Sequence, residues 1–318
     1  MTAPSTPLTL TPEASLNRMP VSLFDGDTPF PARHWVSTPA LQSLIHHQNP
    51  GDERTVRQFL TTYKSDSSDD QAILVTFAKR FIRVIQTAMS GQPWANGSEF
   101  QRRYAGYWQQ CETLVLAGGL TSGAFGQQLA LILETALTPL NVLVSPWAGQ
   151  TGLVGLAQHY GSADPLVVMD FGATGIKRGL AYHHGNRIVP LPELTVDHWL
   201  DEQGLFRAKA FQAVLKDTRE HLDKRLPVAV SLACYLNQGH PHNYHSGVYH
   251  RLIEDCDHLA TTLNRRWLPE AGFSGLVLLE HDSTAAALAF RFSRPAMMVT
   301  LGTGLGVGIC PRQEDIQV

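Results

Sequence analysis

MMVTLGTGLGVGIC, residues 297–310, reads as an apolar run, a tight turn and a second apolar run, with glycine at Gly302, Gly304, Gly306 and Gly308. Two strands joined by a glycine-rich turn, with few Cβ atoms in the way, can bring backbone N–H groups up to an anion the size of a phosphate. The glycines satisfy G-x-G-x-x-G in no register, and a strand rather than a helix follows the turn, which excludes a dinucleotide fingerprint. The pattern G-x-x-x-x-G-K-S/T is absent as well.

Upstream, PLVVMDFG (165–172) reads as a buried strand ending in turn residues, and IKRGLAYHHGNRIVPL (176–191) supplies two more strands around His184-Gly185-Asn186. GLFRAKAFQAVLKDTREHL (204–222) has helical spacing, with Phe206, Phe211, Val214 and Leu215 on its apolar face. LPVAVSLACYL (226–236) follows as a strand, GVYHRLIEDCDHLATTLN (247–264) as a helix, GLVLLE (275–280) as a strand and STAAALAF (283–290) as a helix. Three strands, helix, strand, helix, strand, helix is the order of the ribonuclease-H-like unit. The actin-like ATPase and sugar kinase superfamily pairs two such units around a nucleotide cleft. A second unit is expected from both ends of the chain. Residues 298–310 supply its first two strands and MPVSLF (19–24) its third. An amphipathic helix (69–89), a strand ETLVLAGG (112–119), a helix (123–137), a strand NVLVS (141–145) and a helix (152–160) complete it.

Three segments resemble the ROK family of sugar kinases. DFGATGIK places Asp170, Gly172, Thr174 and Lys177 at the spacing D-x-G-x-T-x-x-K; in the family this hairpin approaches the ATP phosphates, with the Asp near the magnesium ion. In EHDSTAAALAF, Asp282 matches the family's general base, which accepts the proton of the sugar hydroxyl, while Glu280, His281 and Thr284 stand at substrate-facing positions. His281 and Thr284 replace residues that are usually Asn in the family. Read as local structure alone, Asp170 is an ordinary residue at a strand end, and Asp282 or Ser283 an N-cap for the following helix. The opening stretch, with Gly302, Thr303 and Gly304, resembles the second phosphate loop. Gly118 and Gly119 are similar to the glycine turn that lies against adenosine. The ROK zinc loop has no counterpart, since no cysteine precedes Cys111.

The resemblance implies an α/β protein with two ribonuclease-H-like lobes around a nucleotide cleft, in circularly permuted order. Residues 1–160 would form most of the second lobe, 161–294 the first lobe, and 295–318 the phosphate hairpin that completes the second. It implies ATP and Mg2+ as cofactors, a sugar-like small-molecule substrate and a homodimer. The alternative is a non-catalytic nucleotide- or sugar-binding protein that keeps the kinase fold.

Composition agrees with a soluble enzyme of this kind. The 318 residues are 43% hydrophobic and 17% charged with a net charge of −3, which gives no electrostatic basis for binding nucleic acid or an anionic membrane. Cys111, Cys234, Cys256 and Cys310 form no C-x-x-C pair, and the first twenty residues lack a secretory pattern, so a reducing, cytoplasmic setting is expected. His240, His242, His245 and His250 lie within eleven residues; a polar loop at the cleft mouth is the reading preferred over a metal site.

Overall fold

The computed structural model describes residues 8–24, 26–159, 164–243 and 247–313. A five-stranded sheet runs in the order Gly275–His281, Pro227–Leu232, Leu166–Phe171, Gly175–Tyr182, Arg187–Thr195. The first three strands are mutually parallel and the last three form an antiparallel meander. Leu166–Phe171 is buried at every residue, as its continuous apolar run predicts for a central strand covered on both faces. On one face of this sheet, Phe211, Val214 and Leu215 of helix Ala208–Glu220 pack with Met169, Phe171 and Val230.

A second, four-stranded sheet joins distant parts of the chain in the order Leu305–Ile309, Ala296–Leu301, Thr113–Ala117, Asn141–Val144. The first pair is the antiparallel hairpin read from the sequence, with Val299 opposite Val307; the remaining pairs are parallel, with Val299 opposite Leu116. Behind it lies a helical layer dominated by Ser68–Ser90. Ser67 caps that helix by accepting from the Asp70 N–H, and Gly91 ends it at φ +69°. Its Ile73, Leu74, Phe77, Phe81, Val84 and Ile85 join Leu114, Leu116, Val299 and Val307 in one core. Among the described residues no helix is long and apolar enough to cross a membrane.

Two expectations are corrected. The strand read at 19–24 shrinks to Pro20–Val21, which pairs with Phe30–Pro31 rather than with the glycine hairpin. Beside the hairpin's outer strand stands the side chain of Asn17, which donates to the Leu305 carbonyl (2.9 Å) and accepts from the Leu305 N–H (2.7 Å). One amide side chain thereby satisfies strand-edge groups that a third strand would have taken. The single helix read at 247–264 is broken into Leu252–Asp255, Leu259–Thr262 and a wider turn at Leu263–Trp267. The break follows from side-chain competition. The Asp255 carboxylate accepts from Arg207 and from the Ala208 N–H, while His258 caps the next turn by accepting from the Thr261 N–H. The helix Val56–Thr62 is capped by Thr55 through a reciprocal pair with Gln58, and Asp52 pairs with Arg54.

Two helices, Thr151–His159 and Asp282–Ala287, lie against the sheets and against each other, and they touch through glycine. A Cβ at Gly155 would fall 1.8 Å from the Ala285 carbonyl oxygen. A Cβ at Gly308 would fall 2.2 Å from the Ser283 carbonyl oxygen, and one at Gly306 would fall 1.9 Å from Ser283 Oγ. Alternate glycines on the hairpin's second strand therefore let the Asp282 helix rest on backbone. Gly308→Ala should cost about 1–3 kcal/mol by overpacking, whereas Gly302→Ala, whose Cβ would meet nothing within 4 Å, should stay within about 0.5 kcal/mol of wild type. Denaturant unfolding of the two variants checks the contrast, and equal stabilities would contradict the packing described.

Candidate functional site

Three polar residues stand in register near the carboxyl ends of the parallel strands: Asp170 opposite Ser231, and Ser231 opposite Glu280. In open α/β sheets this is the edge where ligands bind. Asp170 is buried, accepts from Ser231 Oγ at 2.7 Å and lies 4.0 Å from Lys177 Nζ, the cation opposite it in the hairpin. Burial pushes the Asp170 carboxyl above the usual carboxylate range; Lys177 and the Ser231 hydroxyl oppose that rise, while Asp282 and Glu193 add to it. The hairpin turn is held by the Gly172 N–H donating to the Gly175 carbonyl (3.0 Å) and by Tyr249 Oη donating to the Gly172 carbonyl (2.9 Å). Thr174 is exposed at the turn, and its carbonyl accepts from the Val196 N–H.

Asp282 is the first residue of its helix, directly after the Glu280 strand. Its Oδ1 accepts from the Ser283 N–H (2.6 Å) and Ser283 Oγ (3.1 Å), and lies 3.1 Å from His281 Nε2. Its other oxygen, Oδ2, makes no hydrogen bond with the described residues. Neither Asp282 nor Ser283 acts as an N-cap: the cap position is His281, without a side-chain cap bond. Ser283 Oγ also meets Thr300 Oγ1 (2.9 Å) on the glycine hairpin. Glu280, with its pKa raised by burial, accepts from the His281 N–H. His281 is 6% exposed, with Nδ1 3.4 Å from Thr284 Oγ1 and its ring stacked on Tyr235 at 4.3 Å. Both ring nitrogens of this sequence-predicted substrate ligand, and the hydroxyl of Thr284, are thus turned toward partners within the chain.

On the other sheet, Gly118 follows the strand Thr113–Ala117 at φ +96°, and a Cβ there would fall 2.3 Å from the Leu301 carbonyl oxygen. The Gly118–Gly119 turn thus abuts the start of the glycine hairpin turn. In that turn the Gly302 N–H donates to the Gly304 carbonyl (3.1 Å), the Gly302 carbonyl accepts from the Thr38 N–H (2.7 Å), and Thr303 is exposed. The glycines divide by surroundings. Gly302 and Gly119 have open space where a Cβ would project, while a Cβ at Gly304 would lie 2.7 Å from Asn17 Oδ1.

Sequence reasoning missed Ser231, Tyr235 and Tyr249. Ser231 was findable as the one hydroxyl within the apolar run PVAVSL; the two tyrosines carried no local signal. In the histidine-rich segment, His240 Nδ1 donates to the Asp257 carbonyl (2.8 Å) and His250 Nδ1 to the Gly247 carbonyl (2.7 Å). His242 donates its N–H to the Tyr235 carbonyl, and His245 lies outside the described residues. Among the described residues no three His, Cys, Asp or Glu side chains converge to hold a metal by themselves.

The raised Asp170 pKa has a definite sign for stability. The folded state holds this proton more tightly than the unfolded chain, so Asp170 subtracts stability as pH rises from its ordinary value of 3.8 through the folded value. Asp170→Asn should therefore melt higher than wild type at pH 7, with the advantage disappearing toward pH 3. Thermal unfolding at the two pH values checks this, and a lower melting temperature at pH 7 would show that the ionised carboxylate is a net stabiliser.

No family model matches the sequence, and no curated protein matches it. Among solved structures, the chain is similar to the Lmo2764 protein of Listeria monocytogenes, described as "a putative N-acetylmannosamine kinase". The match has 20% identity and a TM-score of 0.34, and covers 46% of this chain and 47% of that one. The matched region spans about half the length of that protein.

Proposed function

We propose that this protein transfers a phosphoryl group from ATP to a hydroxyl of a sugar-like small molecule, with Asp282 as general base. In this reading residues 1–160 and 295–318 form one lobe and 161–294 the other, in circularly permuted order. The observation that carries the proposal is the arrangement of two carboxylates. Asp170 and Asp282 belong to strand ends on either side of Ser231, and the Asp282 helix is seated on the glycine hairpin.

The residues fit Mg-ATP. Magnesium is held by one or two carboxylates together with substrate phosphates rather than by an all-protein cage. Asp170 is one such carboxylate, and the carboxylates of Glu193, Asp282 and Asp170 outnumber Lys177 around it. Gly302 and Gly119, both open where a Cβ would stand, allow backbone approach to phosphate and nucleoside. Mg-ATP, when bound, supplies the phosphoryl group and the metal charge that offsets its oxygens. Lys177 adds a cation beside Asp170. Asp282 holds Oδ1 fixed and keeps Oδ2 for the acceptor hydroxyl, whose proton it takes as that oxygen becomes acidic during transfer.

Two variants test the reading. Gly302→Val should leave the fold intact and weaken nucleotide binding at least about tenfold by blocking backbone approach; isothermal titration with Mg-ATP measures it. Gly304→Val is a poor substitute, because its side chain would collide with Asn17. Asp282→Asn should keep Mg-ATP affinity and lower turnover by roughly 10²–10⁴-fold, measured as ADP release over a panel of sugars and polyols. Wild-type turnover in a folded Asp282→Asn protein would remove Asp282 from the chemistry. A wild-type protein that binds Mg-ATP and turns over no member of the panel would favour a binding protein.

A further inference from the structure

Ser283 is fully buried where its helix rests on the glycine hairpin, and its single hydroxyl has two polar neighbours. Asp282 Oδ1 accepts from the Ser283 N–H at 2.6 Å and from Ser283 Oγ at 3.1 Å, while Thr300 Oγ1 lies 2.9 Å from the same Oγ. A carboxylate only accepts, so the Ser283 hydroxyl spends its one proton on Oδ1 and is left to accept from the Thr300 hydroxyl. Thr300 stands opposite Gly306 in the hairpin and two residues before Gly302. A Cβ at Gly306 would overlap both Ser283 Oγ and Thr300 Oγ1. The two hydroxyls meet in the space that this glycine leaves.

We propose that Thr300 and Ser283 are positioning residues for Asp282: the Thr300 hydroxyl donates to Ser283, and the Ser283 hydroxyl, so committed, donates to Asp282 Oδ1. The inference rests on the phosphotransferase reading and deepens it. The chain of hydroxyls begins on the strand that leads into the Gly302 turn and ends on the proposed base. Each hydroxyl has one proton, so a purely accepting group at position 300 would compete with Asp282 for the proton of Ser283. A donating group there leaves that proton to the carboxylate, and donors in series strengthen one another. With Oδ1 held by an N–H and an O–H of the same residue, the carboxylate cannot rotate without losing both, and Oδ2 keeps one direction. Ser283 is closed to any ligand, so its effect on the chemistry passes through Asp282.

The test is a double-mutant cycle read on turnover and on stability. Ser283→Ala should lower kcat about 10–100-fold, the scale of a misaligned reacting group, with the KM for ATP within about threefold. Thr300→Val keeps the shape and removes the donor; it should lower kcat about 3–10-fold, and Thr300→Ser, which restores a hydroxyl, should return kcat to within about twofold of wild type. The Ser283→Ala/Thr300→Val double variant should match Ser283→Ala within about twofold, because Thr300 acts only through Ser283. Losses that multiply in the double variant, a folded Thr300→Val protein with wild-type kcat, or a Thr300→Ser protein as impaired as Thr300→Val overturns the proposal. If Ser283→Ala fails to fold, the contrast between Thr300→Val and Thr300→Ser still decides. Independently of turnover, the denaturant midpoint of the double variant should fall by less than the two single shifts together, since the hydroxyls share one bond. Additive shifts overturn the hydroxyl chain even in a protein without kinase activity, whereas that lack of activity in the wild type overturns the phosphotransferase reading.

Discussion

A helix resting on a strand with no side chain between them fixes the centre of this protein. At Gly306 and Gly308 the hairpin presents bare backbone, and Asp282–Ala287 settles onto it so closely that an added methyl would overlap Ser283. Ser283 then joins Thr300 on the hairpin and Asp282 on its own helix through one hydroxyl. The carboxylate proposed as base and the turn proposed for phosphate are thereby held in one rigid piece, although some twenty residues separate them in sequence. Precise placement of a reacting group is what oriented catalysis requires, and backbone contact, which has fewer degrees of freedom than side-chain packing, would supply it to the proposed base.

The same contact explains why one glycine run serves two purposes. Gly306 and Gly308 are demanded by the helix, and Gly304 by Asn17, while Gly302 has free space before it. The sequence pattern treats all four alike. Only the three-dimensional neighbours separate glycines needed for packing from a glycine open to a ligand.

Much of the architecture was legible because it is written in local patterns. The buried run at 166–171, the hairpin at 296–309 and the amphipathic helix at 68–90 follow from periodicity and turn residues within each segment. The failures share a different origin. MPVSLF has strand-like composition, yet the hairpin edge is met by Asn17, two residues before it begins. GVYHRLIEDCDHLATTLN has helical spacing, but Asp255 is drawn off by Arg207 and Ala208, forty-seven or more residues away, and the helix breaks there. Among the residues proposed for the site, Asp170 and Asp282 were picked out by motif spacing, whereas the stacking of His281 on Tyr235 involves a residue that no motif contains. Long-range side-chain partners override local propensity, and a single sequence does not display them.

Asp282 also lies at the joint between the two sheets. The strand that precedes it belongs to the five-stranded sheet, and the helix it begins is packed on the four-stranded one. Asp170 belongs wholly to the former, and the Gly302 turn wholly to the latter. Movement of one sheet against the other must therefore change the relation of Asp170 to the glycine hairpin, while Asp282 can follow only one of them without strain in the link at His281. Tyr235 opposes that movement, since its backbone comes from the first sheet and its ring is buried in the core of the second. The His281 imidazole stacked on that ring at 4.3 Å therefore lies where the two sheets are packed together. Sliding of one sheet against the other cannot leave Tyr235 in both places, so its burial ties the two sheets together beside His281.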